Sequence, residues 1–166
     1  MHFKMHDDAQ NGKERILMVI DTHKTSTSLT RVKQMLALGH CMDVADGLVD
    51  YLCSKHECGW FDGGCFTLVV AVSSVIKGAE VYHVSRSAQH CDHAVVKLSL
   101  VGDTAIYFDG DGMQTKEKLL TKMQEQELTP CTVLEPLTDI DPSLIFQDVV
   151  DEFILRFNRI NYTEGL

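Results

Sequence analysis

The chain has 166 residues, enough for one ordinary domain to bury a substantial core without disulfide or metal staples. Fifteen basic against 24 acidic side chains leave a net charge of -9, which repels phosphate backbones and anionic lipid, so nucleic acid and membrane surfaces are not expected partners. The apolar share of 45 % and the charged share of 23 % are those of a globular protein.

Residues 1–15 hold a single Phe and no Leu, Ile or Val, which predicts a flexible N-terminus ahead of a single domain over 16–166. Ile16–Ile20 reads as a short buried strand or the beginning of a helix. With Leu68–Val72 it is among the longest apolar runs, both too short to cross a bilayer, and no basic segment leads into an apolar stretch near Met1, so the cytoplasm is the expected compartment. After a Thr/Ser-rich stretch, Val32, Met35, Leu36 and Leu38 suggest a short helix ending near Gly39, and Val44, Ala45, Leu48, Val49 and Leu52 recur with helical spacing from about Asp43.

The turn-rich segment Cys58-Gly-Trp-Phe-Asp-Gly-Gly-Cys65 follows, and then an apolar run to Lys77. Its length and the glycines that flank it predict a buried helix, against the β-branched content of Val69, Val70, Val72, Val75 and Ile76. Period-two patterning then predicts strands Glu80–Ser85, His93–Leu100 and Thr104–Phe108, the last two forming a hairpin about Val-Gly-Asp. Thr115–Glu127 reads as a polar-faced helix whose charge runs are solvated, and Cys131–Leu134 as a further strand. A last helix is expected from Asp141 at the N-cap and Pro142 at N1 through Leu144, Val149, Phe153 and Phe157. The fold class is therefore α+β, with a buried helix packed on a small antiparallel sheet and flanked by further helices.

Six cysteines at irregular spacing in a domain of this length read as free thiols, so the question becomes which of them reacts. Cys65 stands at a helix start, where the dipole and a nearby imidazole can stabilise a thiolate and where free backbone amides can hold an oxyanion. Its plain alternative is a small buried hydrophobe. His93 begins a strand, which holds a ring more firmly than the loop that carries His90, and is the preferred base. Asp109 ends the next strand and returns near His93, where a carboxylate can orient the imidazole; Asp111, beyond Gly110, is the weaker choice. Trp60 and Gly64, with Phe61, flank Cys65 and are candidate substrate contacts, though aromatic residues are more often core anchors.

Gly-Gly-Cys65-Phe, His93-Ala-Val-Val-Lys-Leu and Tyr107-Phe-Asp-Gly resemble the three core motifs of the papain-like cysteine proteases, especially their transglutaminase-like branch. The similarity covers about Trp60 to Gly112. It implies a helix-borne nucleophile Cys65, a base His93 and an orienting Asp109. The implied activity is hydrolysis or acyl transfer at peptide or side-chain amides, as in a cysteine peptidase, amidase, deamidase or transglutaminase, with a protein or peptide as substrate and no cofactor. No glutamine is clearly placed for the oxyanion hole of the papain branch, and Val95 or Val96 replaces an aromatic residue common after the histidine in the transglutaminase-like branch.

Two other classes compete. Cys53, His56 and Cys58 could be zinc ligands, with Cys65, His90 or Cys91 completing a tetrahedron, although the spacing is not that of a standard finger. Alternatively the domain is a non-catalytic interaction module of the same fold.

Overall fold

The computed structural model describes residues 29–87, 90–100 and 104–164. The predicted flexible terminus, the Ile16–Ile20 segment and the Val-Gly-Asp turn lie outside them. Residues 29–33, which belong to a separate unit of the chain, are helical; everything below concerns the unit from Gln34 onward.

In that unit α1 runs through residues 34–46 and α2 spans Val49–His56. The helix predicted to stop near Gly39 does not stop there. Leu38, Cys41, Val44 and Ala45 share one buried stripe across that glycine, and the break falls instead at Gly47 and Leu48. A lone glycine costs a helix about 1 kcal/mol, less than a continuous apolar face returns.

The apolar run is a helix, α3, over Cys65–Val75. Its β-branched residues forfeit at most about 0.7 kcal/mol each in helix propensity, whereas burying a Leu or Val side chain returns roughly 1.5–3 kcal/mol. Leu68, Val69, Ala71 and Val72 are all fully buried, so burial decides.

Five strands follow the predicted order with one addition: β1 Ala79–Ser85, β2 His93–Ser99, β3 Ala105–Asp109, β4 Gly112–Gln114 and β5 Val133–Pro136. They form one antiparallel sheet in the order β4-β3-β2-β1-β5. β4 is the unpredicted strand, made by a turn at Gly110 and Asp111 that pairs Asp109 with Gly112. Between β4 and β5 lies α4, Lys116–Glu127, capped by the hydroxyl of Thr115.

The last helix, α5, spans Gln147–Glu164, and here the sequence expectation needs correcting. Asp141 does cap Pro142, but only for the single 3-10 turn Pro142–Leu144. Ile145 then turns extended, and the amide of Phe146 donates to the hydroxyl of Thr67 at 3.0 Å. A tertiary partner on α3 thus interrupts what the local capping signal would have continued.

The sheet is covered on both faces. Ala94, Val96, Leu98 and Phe108 pack with α1, α2, α3 and α5 in the main core, while Val84, Val95 and Tyr107 pack with Leu119 and Met123 of α4. Among the described residues no helix is long and apolar enough to cross a membrane.

Candidate active site

The loop before α3 is fixed from within. The amide of Gly59 donates to the Asp62 carboxylate, the indole N–H of Trp60 donates to the carbonyl of Ala45 at 3.1 Å, and the amide of Gly64 donates to the carbonyl of Gly59 at 2.9 Å. Gly64 has no room for a side chain, since a Cβ there would lie 2.7 Å from the Gly59 carbonyl oxygen and 2.9 Å from Leu52. This packing delivers Cys65 as the first residue of α3, with its side chain 6 % exposed.

His93 is placed as firmly. It opens β2 opposite Val84, and the segment before it is tied by the Asp92 amide on the Val84 carbonyl at 3.1 Å. The Asp92 carboxylate accepts from both the backbone and the guanidinium of Arg86, the closest contact being 2.7 Å. Because Val96 pairs with Phe108, His93 and Asp109 sit diagonally on one face at one end of β2 and β3. The His93 Nε2 lies 3.2 Å from Asp109 Oδ2, and both side chains are almost completely buried, at 2 % and 1 % exposed.

Cys65 lies close enough to His93 that each shifts the other's protonation. The three residues singled out from the sequence therefore meet in the order Cys65, His93, Asp109.

Electrostatics follow from this contact chain. Burial pushes the Cys65 thiol up, but the hydrogen bond to His93, the amides of Ala94 and Phe66 and the imidazole charge together hold it below the ordinary thiol value. Burial depresses His93, yet hydrogen bonds to Asp109 and Cys65 leave it above an ordinary imidazole. Burial likewise raises Asp109, and hydrogen bonds from His93 and Lys122 outweigh it, keeping the carboxyl low. Other thiols go the opposite way: burial drives Cys41 to about 12 and Cys91 to about 11, and it raises Cys58 and Cys131 as well. The arrangement favours a thiolate–imidazolium pair at Cys65 alone among these five.

The remaining candidates fall elsewhere. Trp60 is buried in the main core, while its neighbour Phe61, 38 % exposed, stacks on the His93 ring with centroids 5.2 Å apart. His90 pairs with the hydroxyl of Ser87 at 2.8 Å, and Asp111 is exposed beside Lys122. His56 directs its Nε2 to Asp148 at 3.0 Å and stacks on Phe146. Among the described residues Cys53, His56 and Cys58 make no group able to hold a metal ion, and no other such group occurs.

One site residue was not anticipated. The ammonium of Lys122, from α4, donates to Asp109 Oδ2, reaches Asp111 Oδ2 at 3.1 Å and lies 4.9 Å from the Phe61 ring centroid. Its sequence signal was its position, three residues after Leu119 and one before Met123, on the flank of the buried stripe of a polar helix.

No protein-family model matches the chain, and neither a curated protein nor a solved structure matches it.

Proposed function

We propose that the protein is a thiol-dependent hydrolase or acyltransferase acting on peptide or side-chain amides, of the papain-like kind and its transglutaminase-like branch, working in the cytoplasm. The observation that carries this reading is the continuous chain from a helix-start Cys65 through His93 to a buried Asp109. In the mechanism the Cys65 thiolate attacks the carbonyl carbon, forming a C–S bond and an oxyanion. The amide of Cys65, first in α3, has no carbonyl of its own helix to serve and is the available donor to that oxyanion, whereas the amide of Gly64 is committed to Gly59. Collapse breaks the C–N bond, and the His93 imidazolium gives its proton to the departing nitrogen. His93 then takes a proton from water, whose oxygen attacks the thioester; carboxylate is released and the thiol restored. An amine in place of water gives a new amide. Asp109 stays ionised throughout and stabilises the imidazolium.

A non-catalytic module of this fold would be favoured by a side chain wedged between Cys65 and His93. The mutual effect of Cys65 and His93 on each other's protonation supports catalysis instead.

The test is the pH dependence of alkylation by iodoacetamide at each cysteine, resolved by peptide mass spectrometry, in wild type and His93→Ala. Because Cys65 is 6 % exposed, the midpoint and not the absolute rate is the readout. The expected midpoint for Cys65 lies below the ordinary thiol value of about 8.5 and rises when His93 is removed. A midpoint at or above that value, no reaction, or one indifferent to His93 would overturn the reading.

A further inference from the structure

An acyl-transfer base has two conflicting duties. It must hold a proton as imidazolium, and it must surrender that proton to the leaving nitrogen in the next instant. A buried carboxylate that belongs wholly to the imidazole serves the first duty at the expense of the second. Here the carboxylate is divided. Asp109 Oδ2, the oxygen 3.2 Å from His93 Nε2, also accepts from the Lys122 ammonium, and Oδ1 accepts from the amide of Asp111 at 2.9 Å. The ammonium, itself only 19 % exposed, is in turn divided between Asp109 and Asp111.

We infer that Lys122 is a positioning residue of this site: by sharing Asp109 Oδ2 it fixes the carboxylate and tempers its hold on the His93 proton, with Asp111 as the outer counter-ion that sets how strongly it does so. The inference deepens the proposed acyl-transfer reading and rests on it for its biological meaning. The groups that bear on His93 are few. Cys65 faces it from α3, Asp109 from β3, and the uncharged Phe61 ring from the loop before α3. Cys91 interacts electrostatically with Cys65, and Lys122 and Asp111 act through Asp109 from α4 and the β3–β4 turn. Among the described residues Lys122 is thus the one lysine or arginine that contacts the carboxylate on which His93 depends, and its removal leaves the Asp109 charge undivided.

The experiment follows the His93 imidazole C–H resonance by NMR titration in the full chain carrying Cys65→Ala, so that no thiolate titrates with it; the resonance is assigned by its absence in His93→Gln. Adding Lys122→Met is expected to raise the His93 midpoint by roughly 1 pH unit, as loss of a cation from a shared ion pair does, while Lys122→Arg leaves it close to the parent. Asp111→Asn, at an exposed position, gives the ammonium wholly to Asp109 and is expected to lower the midpoint. An unmoved or lowered midpoint in Lys122→Met overturns the inference, and if that variant does not fold, an unmoved or raised midpoint in Asp111→Asn does so. The titration does not use Cys65. A chain whose His93 responds as stated while wild-type Cys65 proves inert to alkylation keeps the Lys122 assignment and loses the acyl-transfer reading; fast alkylation with no response to Lys122 does the reverse.

Discussion

Asp109 carries three donors on two oxygens, His93 and Lys122 on Oδ2 and the Asp111 amide on Oδ1, inside a site almost closed to solvent. An amide in its place can accept at one oxygen only: with that oxygen at the Oδ2 position the Asp111 amide loses its acceptor, and with it at the Oδ1 position His93 and Lys122 both do. Asp109→Asn is therefore expected to destabilise the fold by about 1–3 kcal/mol in urea unfolding at neutral pH. The sign of its pH dependence is fixed by the depressed carboxyl. Its stabilising contribution is present above the unfolded value of about 3.9 and is lost as pH falls through the lower folded value. The gap between wild type and Asp109→Asn should accordingly narrow as pH falls below 4, and a gap that widens there would assign the carboxyl the wrong charge. Cys65, His93 and Asp109 were legible in the sequence because each is a chemically distinctive residue at the end of a strongly patterned element. Lys122 was not, since a lysine on a polar helix reads as solvated unless the fold behind it is known.

At the scale of elements, α3 is the part on which the rest is assembled. Its start needs a residue without a side chain at Gly64 and its middle needs a hydroxyl at Thr67, which is fully buried and accepts from the Phe146 amide. Thr67→Val keeps the shape and removes the acceptor, so thermal or urea unfolding should show a loss of about 1–3 kcal/mol, the cost of one buried unpaired N–H. An unchanged stability would mean that Phe146 finds another acceptor. The same bond explains where sequence reasoning failed. Asp141 and Pro142 are a sound helix-start signal, and they do start a turn, but nothing local reports a partner 79 positions away that ends it. β4 was missed for the converse reason: three residues after an Asp-Gly-Asp-Gly turn carry too little pattern to be read as a strand until β3 is there to pair with them. Strands β1 to β3 and helices α3 and α4 were legible to within two residues, because in each the period of the apolar residues matches the face that is buried.

From Gln34 onward the described residues form one five-stranded sheet with helices on both faces, and the three catalytic candidates come from α3, β2 and β3, separated by 28 and 16 positions in the chain (93 − 65 and 109 − 93). His93 and Asp109 meet once β2 pairs with β3, and Cys65 joins them only when α3 has docked on the sheet. Trp60, the single tryptophan, is buried in the same core and so reports that docking by its fluorescence. On urea unfolding the Cys65 alkylation midpoint should revert to that of an ordinary thiol in the same transition in which Trp60 fluorescence changes, as a cooperative domain requires. Reversion at a lower urea concentration would show that the site opens separately from the core.

On the proposed reading, that separation along the chain makes activation a property of completed folding. A polypeptide emerging from synthesis passes Cys65 long before Asp109 and Lys122 exist to charge its histidine, so at that stage Cys65 is one ordinary thiol among the five made before Asp109. On that reading, nucleophilicity would switch on only when the final architecture closes, which would guard a half-made chain against acylating itself and make the reactive sulfur a certificate of the native state.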